Sequence, residues 1–265
     1  MTTASTKPGE IILETQGLTM RFGGLVAVDR IDLAVPRALV TAIIGPNGAG
    51  KTTVFNLLSG VLRPTSGMIH FLRQRIDGAP AHAIAALGLA RTFQNVQLFE
   101  HMTVLDNVMI GRHTRTRTGF LDAALSLPRA RREDRDAHQM CLEALAFVGL
   151  AHRAEDDATS LPFGQQRLVE LARAIVAQPQ LVLLDEPAAG LNTRERAELA
   201  KIITALPQRG ITPLLVDHDM DLVMDISHQV SVLNHGHKIA EGPPRRVQSD
   251  PQVIEAYLGE EAAAC

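Results

Sequence analysis

One run of nine residues constrains this chain more than any other: Gly45-Pro-Asn-Gly-Ala-Gly-Lys-Thr-Thr53. It follows the apolar segment Leu39 to Ile44 and leads into an apolar, helix-like segment, which is the strand, glycine-rich loop and helix order of a phosphate-binding loop. Glycines let backbone N–H groups turn inward around an anion, Lys51 suits the β- and γ-phosphates, and Thr52 offers a hydroxyl to Mg²⁺. The sequence therefore predicts a nucleoside triphosphate as ligand. Its predicted contacts are Asn47, Gly48, Ala49, Gly50, Lys51, Thr52 and Thr53.

Length and charge bound the remaining possibilities. With 265 residues, the chain can bury a large core as one domain or as two lobes. A formal net charge of −3 and a pI near 6.4 give no global indication of nucleic-acid binding, so no nucleic-acid partner is expected. No segment approaches the ~20 apolar residues that cross a bilayer, and residues 1–10 lack an apolar signal segment, so we expect a cytoplasmic protein. The two cysteines, Cys141 and Cys265, predict neither a disulfide nor a metal site.

Hydrophobic periodicity predicts an α/β fold. Residues 11–36 alternate apolar and polar side chains in places, as strands of an antiparallel sheet do. Three later runs, Leu39 to Ile44, Leu181 to Leu184 and Pro213 to Val216, are almost wholly apolar. Continuous apolar runs are typical of strands buried on both faces of a parallel sheet that helices cover.

A helical lobe is predicted between these strands. Residues 100–160 contain helix-like spacing and many charges but no comparable apolar run. We therefore expect a nucleotide-binding α/β core formed by residues 1–93 and 166–265, with residues 94–165 inserted as a helical lobe. A helix is also expected at Thr193 to Leu206, with Gly210 beyond it as a stop signal.

Polar residues directly follow each of the three apolar runs: first the phosphate loop, then Asp185-Glu186, then Asp217-His218. In an open α/β sheet, ligands bind outside the carboxyl ends of the strands, so parallel strands would bring these groups to one edge. Asp185 is then placed to hold Mg²⁺ through water. Glu186 is a candidate general base for the attacking water, and His218 a candidate contact to that water or the γ-phosphate. The alternative is a helix-capping turn and a surface histidine.

A second glycine-bearing segment is Leu161-Pro-Phe-Gly-Gln-Gln-Arg167, which we call the signature segment. It opens a helix-like stretch that ends before Pro179. A helix start has free N–H groups and a positive dipole end, so it can bind an anion. The alternative is an ordinary helix cap.

These four motifs occur in the order and spacing of ATP-binding cassette (ABC) ATPases, and the chain resembles that family over essentially its whole length. The resemblance implies a P-loop NTPase core of the ABC ATPase type, with an N-terminal antiparallel β-subdomain and an inserted α-helical subdomain. It implies ATP and Mg²⁺ as cofactors. Phe22 resembles the aromatic residue that stacks on adenine, with Val28 as a further nucleotide contact. Gln94 resembles the glutamine that joins Mg²⁺ and the attacking water to the helical lobe, so the implied metal contacts are Thr52, Gln94 and Asp185.

In this family, two nucleotide domains pair head to tail, and each ATP lies between the phosphate loop of one and the signature segment of the other. The resemblance therefore implies that Phe163, Gly164 and Gln165 contact the nucleotide of a second ABC ATPase subunit. That subunit is either a copy of this chain or a related paralogue. Ala188 to Asn192 resembles the loop that crosses the dimer interface, and we call it the interface loop.

Longer stretches resemble the larger ATPase subunit of bacterial branched-chain amino-acid importers: Arg91 to Phe99, Asp185 to Asn192, Asp217 to Met224 and Asp250 to Gly259. This resemblance implies an ATPase that powers uptake through separate integral-membrane permease subunits, in a complex with a periplasmic substrate-binding protein. It implies a peripheral position on the inner face of the cell membrane. Two alternatives remain: a soluble ABC ATPase outside transport, such as a cofactor-assembly scaffold, or a transporter subunit for urea, amides or lipid.

The signature segment departs from the commonest form of the family, Leu-Ser-Gly-Gly-Gln. Pro162 replaces the serine and Phe163 replaces the first glycine. Loss of a hydroxyl contact to a charged phosphate costs at most ~1.5 to 3 kcal/mol, since backbone N–H groups remain. We therefore expect an ATP-driven dimer weaker than the commonest form. Gln94 and residues 95–105 are the expected surface of coupling to the permease.

Overall fold

The computed structural model describes residues 9–92, 94, 96–112 and 128–263. The strands are β1 (Ile11–Phe22), β2 (Leu25–Pro36), β3 (Thr41–Ile44), β4 (Ser66–Phe71), β5 (Gln74–Arg75), β6 (Leu89–Arg91), β7 (Leu181–Asp185), β8 (Thr212–Val216), β9 (Gln229–Asn234) and β10 (His237–Gly242). The helices are α1 (Lys51–Leu58), α2 (Ala81–Leu87), α3 (Val104–Ile110), α4 (Pro128–Phe147), α5 (Phe163–Ile175), α6 (Thr193–Ala205), α7 (Met220–Ile226), α8 (Pro244–Gln248) and α9 (Pro251–Ala263). The predicted α/β class is confirmed.

One sheet is antiparallel and has the strand order β2-β1-β4-β5. β1 pairs with β2 along nearly its whole length, from Ile11 opposite Pro36 to Phe22 opposite Leu25. Two glycines, Gly23 and Gly24, make the turn at the tip of this hairpin. The expected N-terminal antiparallel β-subdomain is therefore present.

The second sheet has the order β10-β9-β3-β8-β7-β6. β9, β3, β8, β7 and β6 run parallel to their neighbours, and only the edge strand β10 is antiparallel to its neighbour. Every residue of β3, β7 and β8 is buried. The three continuous apolar runs are therefore adjacent parallel strands, and their carboxyl ends lie at one edge of the sheet.

Alternate residues of these strands belong to two apolar clusters, one on each face of the parallel sheet. In β7, Leu181 and Leu183 lie in the cluster that also contains the antiparallel sheet and α1. Val182 and Leu184 lie in the cluster that contains the helical lobe, α6 and α7. Because side chains of a strand point alternately to opposite faces, a strand covered on both sides needs an uninterrupted apolar sequence.

The helical lobe consists of α3, α4 and α5, which contact one another. The capping box of Thr103 with Asp106 fixes the start of α3. The predicted boundary after residue 165 falls inside α5, and this helix packs on α3 and α4 while its side chains also join the cluster on the sheet. The division of the chain at that residue stays a prediction. Among the described residues, none of the helices is long and apolar enough to cross a membrane.

Candidate active site

The backbone of the phosphate loop, residues 45–53, requires glycine at two positions. Gly45 has φ +151°, and a Cβ there would lie 2.1 Å from the carbonyl oxygen of Leu233 in β9. Gly50 has φ +101°, and a Cβ there would lie 2.6 Å from the carbonyl oxygen of Ala27 in β2. The loop is thus enclosed between the antiparallel sheet and the last strands of the parallel sheet, and only glycine permits so close an approach.

Hydrogen bonds hold the loop in its curved form. The Nζ atom of Lys51 donates to the carbonyl oxygens of Gly45 (2.6 Å) and Pro46 (2.8 Å). The N–H of Gly236, in the turn between β9 and β10, donates to the carbonyl oxygen of Ala49 at 3.1 Å. Lys51 is only 8% exposed, so its ammonium group is placed inside the loop before a ligand arrives. At the rim, Asn47, Gly48 and Thr52 are exposed and Thr53 is half-buried.

Asp185 ends β7 and is almost completely buried. Its Oδ2 atom accepts from Nη2 of Arg91 at 2.8 Å, and the two side chains are 4% and 9% exposed. The guanidinium of Arg91 also donates to Asn56 Oδ1 (2.8 Å) and Ser59 Oγ (2.9 Å), both in the helix that the phosphate loop opens or just after it. Arg91 therefore connects the strand carrying Asp185 to α1. The sequence analysis did not identify it as part of the site.

Gln94, Glu186 and His218 converge on one carboxylate. The Oε2 atom of Glu186 accepts from Gln94 Nε2 at 2.9 Å and lies 3.3 Å from His218 Nε2. Gln94 follows β6, Glu186 follows β7 and His218 follows β8, so the strand order of the sheet brings the three together. Glu186 has φ +47°, a conformation that costs energy for a residue with a side chain and is typical of functional sites.

A further buried carboxylate supports this arrangement. Asp217 is 1% exposed; its Oδ2 atom accepts from the N–H of Ala188 (3.0 Å) and its Oδ1 atom from the N–H of Asp219 (2.9 Å). One side chain therefore ties the turn after Glu186 to the turn that carries His218. The sequence analysis considered Asp217 only as the neighbour of His218.

The signature segment lies at the start of α5, with Pro162 in the N-cap position and no side-chain cap. Phe163 is 47% exposed, and the guanidinium carbon of Arg167 lies 5.4 Å from its ring centroid. Gly164 is buried, and Gln165 Oε1 accepts from Arg153 at 3.0 Å. Without a side-chain cap, the first N–H groups of the helix remain available to an anion from outside the chain.

The two remaining predicted nucleotide contacts differ in exposure. Phe22 lies at the tip of the β1–β2 hairpin and is 47% exposed, so its ring presents a face on which a base can stack. Val28 is fully buried, with its Cγ2 atom 3.4 Å from an ideal Cβ on Gly50. Val28 supports the phosphate loop from behind, and its contact with nucleotide stays a prediction.

A charged row on α5 connects the helical lobe to the segment after Gln94. Glu170 is 3% exposed and lies 3.7 Å from Nη2 of Arg173. Arg173 Nη1 donates to the carbonyl oxygen of Gln97 at 2.8 Å. Burial lowers the pKa of Arg173, and Glu170 opposes that shift. Nothing in the sequence indicated this contact, because Arg173 and Gln97 are far apart in the chain.

The donor set fits Mg²⁺ bound with a nucleotide. Within the described ranges, no three His, Cys, Asp or Glu side chains gather as a metal site. Mg²⁺ does not need such a cage, because it keeps several waters and takes phosphate oxygens with one or two protein ligands. The hydroxyl of Thr52, the carboxylate of Asp185 and the amide oxygen of Gln94 are hard oxygen donors of this kind. Cys141 is not a candidate ligand, since its burial raises the thiol pKa to about 11.

Comparison with protein families gives two matches along the chain. Residues 28–189 match the family described as ABC transporter. Residues 237–263, which include β10, α8 and α9, match the family described as branched-chain amino acid ATP-binding cassette transporter.

Curated relatives resemble the chain over almost its whole length. The high-affinity branched-chain amino acid transport ATP-binding protein BraF of Pseudomonas aeruginosa is 46% identical over 250 residues, which cover 94% of this chain and 98% of that protein. The corresponding protein of Escherichia coli, LivG, is 44% identical with the same coverage.

Two solved structures have folds similar to that of this chain over almost its whole length. A crystal structure of the ADP conformation of an ATP-binding cassette of an ABC transporter has a TM-score of 0.82 and 32% identity, covering 94% of this chain and 99% of that one. A nucleotide-free cassette from an ABC transporter has a TM-score of 0.81 and 31% identity, covering 93% and 98%.

Proposed function

This chain belongs to the ABC transporter family as an ATP-hydrolysing ATP-binding subunit, and on that premise we propose that it powers uptake of branched-chain amino acids through a separate membrane permease. The observation that carries the choice of cargo is the match of residues 237–263 to the branched-chain amino acid transporter family. The names of the two relatives, at 46% and 44% identity, support the same cargo.

The proposed partners follow from this role. The chain docks on integral-membrane permease subunits from the cytoplasmic side, as a peripheral protein on the inner face of the membrane. It pairs with a second ABC ATPase subunit, a copy of itself or a paralogue, and a periplasmic substrate-binding protein delivers the amino acid. The uncapped start of α5 supports the pairing, because its N–H groups suit a phosphate supplied by another chain.

In the proposed mechanism, Lys51 and the N–H groups of the phosphate loop hold the β- and γ-phosphates. Glu186 takes a proton from a water molecule as the water oxygen attacks the γ-phosphorus and the bond to the bridging oxygen breaks. Gln94 and His218 orient that water; their contacts to the Glu186 carboxylate at 2.9 Å and 3.3 Å support this role. Thr52, Asp185 and Gln94 would hold Mg²⁺, which would neutralise charge on the phosphates.

Contact with the permease is assigned to Gln94 and residues 95–105, of which Asn95 lies outside the described residues. Supporting this assignment, a cavity of about 550 Å³ lies between this segment and α5, lined in part by Gln97, Leu98 and Arg173. Phe99, at its edge, is 50% exposed. A groove with an exposed aromatic side chain is suited to bind a segment of another protein. Replacement of Gln97 and Phe99 by alanine is expected to leave ATP hydrolysis running while uptake stops; unchanged coupling would contradict the assignment.

The proposal is tested with the chain purified from membranes in detergent. We expect integral membrane proteins to copurify with it, and the reconstituted complex to take up labelled leucine when ATP is inside the vesicles and binding protein outside. Urea, acetamide and a phospholipid serve as competing cargo. Transport of one of these instead of leucine contradicts the cargo. Copurification with a soluble complex, without any uptake, contradicts the transporter role and favours a cofactor-assembly ATPase.

A further inference from the structure

The ring of Phe163 lies directly against the interface loop of its own chain. An ideal Cβ on Gly190 would lie 2.9 Å from Cε1 of Phe163 and within 3.7 Å of two further ring atoms. Gly190 has φ +78°, a left-handed conformation that glycine adopts without strain. The absence of a side chain at Gly190 therefore makes room for the ring.

A second contact connects the same two segments. An ideal Cβ on Gly164 would lie 2.5 Å from the carboxylate of Glu195. That carboxylate accepts from the N–H of Asn192, the last residue of the interface loop, at 3.0 Å, and completes the capping box that starts α6. The beginning of α5 is thus seated on both the middle and the end of the interface loop.

Gly190, in the middle of the interface loop, is four residues after Glu186 in the sequence. The N–H of Ala189 donates to the carbonyl oxygen of Glu186 at 3.1 Å, and the N–H of Leu191 donates to that of Ala188 at the same distance. Asp217 holds the N–H of Ala188 at 3.0 Å. These tight turns connect Gly190 closely to Glu186, so that a shift of one moves the other. The backbone of Glu186 is already in an unfavourable conformation at φ +47°.

We propose that Phe163 is a positioning residue for Glu186, which it holds in place through Gly190. The inference rests on the proposed function, in which nucleotide from the second subunit binds at the start of α5. Binding there moves or fixes Phe163, and the packed ring passes that change to the interface loop and to Glu186 of the same chain. The commonest signature of the family has glycine at this position and therefore no ring to make the contact. Nucleotide bound at the start of α5 therefore affects Glu186, the general base of the other site, through the ring of Phe163.

The experiment measures ATP hydrolysis by the assembled transporter with variants on both sides of the contact. Phe163→Ala is expected to lower kcat by about 3- to 30-fold, the usual range for residues that carry coupling between sites. The KM for ATP is expected to change less than about twofold, because the backbone N–H groups at the start of α5 remain to hold the nucleotide while the lost ring acts on the water-activating carboxylate. Phe163→Tyr keeps a ring of the same shape and is expected to retain the wild-type kcat.

Gly190→Ala tests the other side of the contact. Alanine at a φ of +78° strains the interface loop, and its methyl group would lie 2.9 Å from the ring, so the loop or the ring must shift and kcat is expected to fall as in Phe163→Ala. In the double variant, the smaller side chain at 163 leaves space for the methyl group, so kcat is expected to be no lower than in the worse single variant. Ile254→Ala, which removes another half-exposed apolar side chain from α9, serves as the matched control and is expected to behave as wild type.

Two results overturn the inference: an unchanged kcat in Phe163→Ala, or a change in KM alone, which assigns Phe163 to nucleotide contact. Additive losses in the double variant also overturn it, because independent effects add and shared ones do not. Failure of the proposed function has a different signature. In that case the wild-type complex hydrolyses ATP without moving any cargo, or Glu186→Gln hydrolyses ATP as wild type does.

Discussion

In the proposed mechanism the strand ends and the start of α5 both bind phosphate, but the structure builds the two regions in opposite ways. At the strand ends, Lys51, Asp185 and Asp217 are each at most 8% exposed and hydrogen-bonded within the chain. At the start of α5, Pro162 and Phe163 are exposed and no side chain caps the helix. The first region is fixed by hydrogen bonds within the chain, whereas the second packs its ring against Gly190 and leaves the helix start without a side-chain cap. Under the proposed pairing, one half of a shared site is organised in the single chain, and the other half gains its role only on assembly.

Replacement of Glu186 is expected to reduce activity most, because this residue activates the attacking water in the proposed mechanism. Glu186→Gln keeps the shape of the side chain but removes its ability to accept a proton from water. We expect kcat for ATP hydrolysis to fall by about 10²- to 10⁴-fold, with ATP binding retained in a fluorescence titration. Glu198→Gln, an exposed residue of α6, is the matched control. Turnover at the wild-type rate in Glu186→Gln would remove Glu186 from its role.

Replacement of Gly50 tests whether close packing makes the phosphate loop rigid. Gly50→Ala places a methyl group 2.6 Å from a backbone oxygen at a left-handed φ of +101°. Strain and overpacking together are expected to lower the free energy of unfolding by roughly 2–5 kcal/mol. Gly48→Ala is the matched control, because φ is also positive there but no atom lies within 4 Å of the new methyl group. Equal losses in urea denaturation would show that strain alone, without packing, decides the outcome.

Asp217→Asn tests the support beneath Glu186. Asparagine offers one acceptor in place of two, so one backbone N–H, of Ala188 or Asp219, faces an amide donor in a buried position. We expect the free energy of unfolding to fall by about 1–3 kcal/mol, with a loss of kcat because the turns after β7 and β8 are no longer tied together. Asp225→Asn, on the exposed side of α7, is the control. A stable but inactive variant would place Asp217 in the chemistry itself.

The smallest change is expected from a substitution at the start of α5. Pro162→Ser supplies a hydroxyl at the N-cap of α5 and restores the commonest signature at that position. ATP-driven pairing with the second subunit is expected to strengthen by less than the ~1.5 to 3 kcal/mol of a full hydroxyl contact to a charged phosphate, because the backbone N–H groups already contribute. The strength of pairing is measured by analytical ultracentrifugation in the presence of ATP. Both proteins also carry Glu186→Gln, so that ATP is bound and not hydrolysed. No gain counts against a weakened dimer in the natural chain.

The convergence of polar side chains at the strand ends could be predicted from the sequence, because each of these residues lies at or just after the end of its strand. Asp185 closes one apolar run and His218 comes two residues after another, so strand order alone brings them together. Arg91 could not be found in this way, since β6 has only three residues and its partner Asp185 is 94 positions away. Pairings between distant residues depend on the packing of whole elements, which local periodicity does not contain.

The signature segment illustrates the same limit. Its sequence indicated a helix start with an unusual Pro162 and Phe163, and α5 does begin at Phe163. The sequence contained no sign that the ring would lie on Gly190, because two segments that meet only through the folded helical lobe have no shared pattern. The placement of polar residues at strand ends is therefore predictable from one chain's sequence, whereas contacts between lobes require the structure.

The enclosure of the phosphate loop has a consequence for how the protein is made. β3 lies between β8 and β9, Leu233 closes over Gly45, and Gly236 donates to Ala49, so the loop near residue 50 is completed by segments almost two hundred residues later. On the ribosome, the wall of the loop that β2 forms is therefore synthesised first, whereas the wall that β9 and the β9–β10 turn form is added only near the end of synthesis. The surroundings of the phosphate loop are therefore complete only when the last strands of the sheet have been made, which is a contact between residues far apart in the sequence.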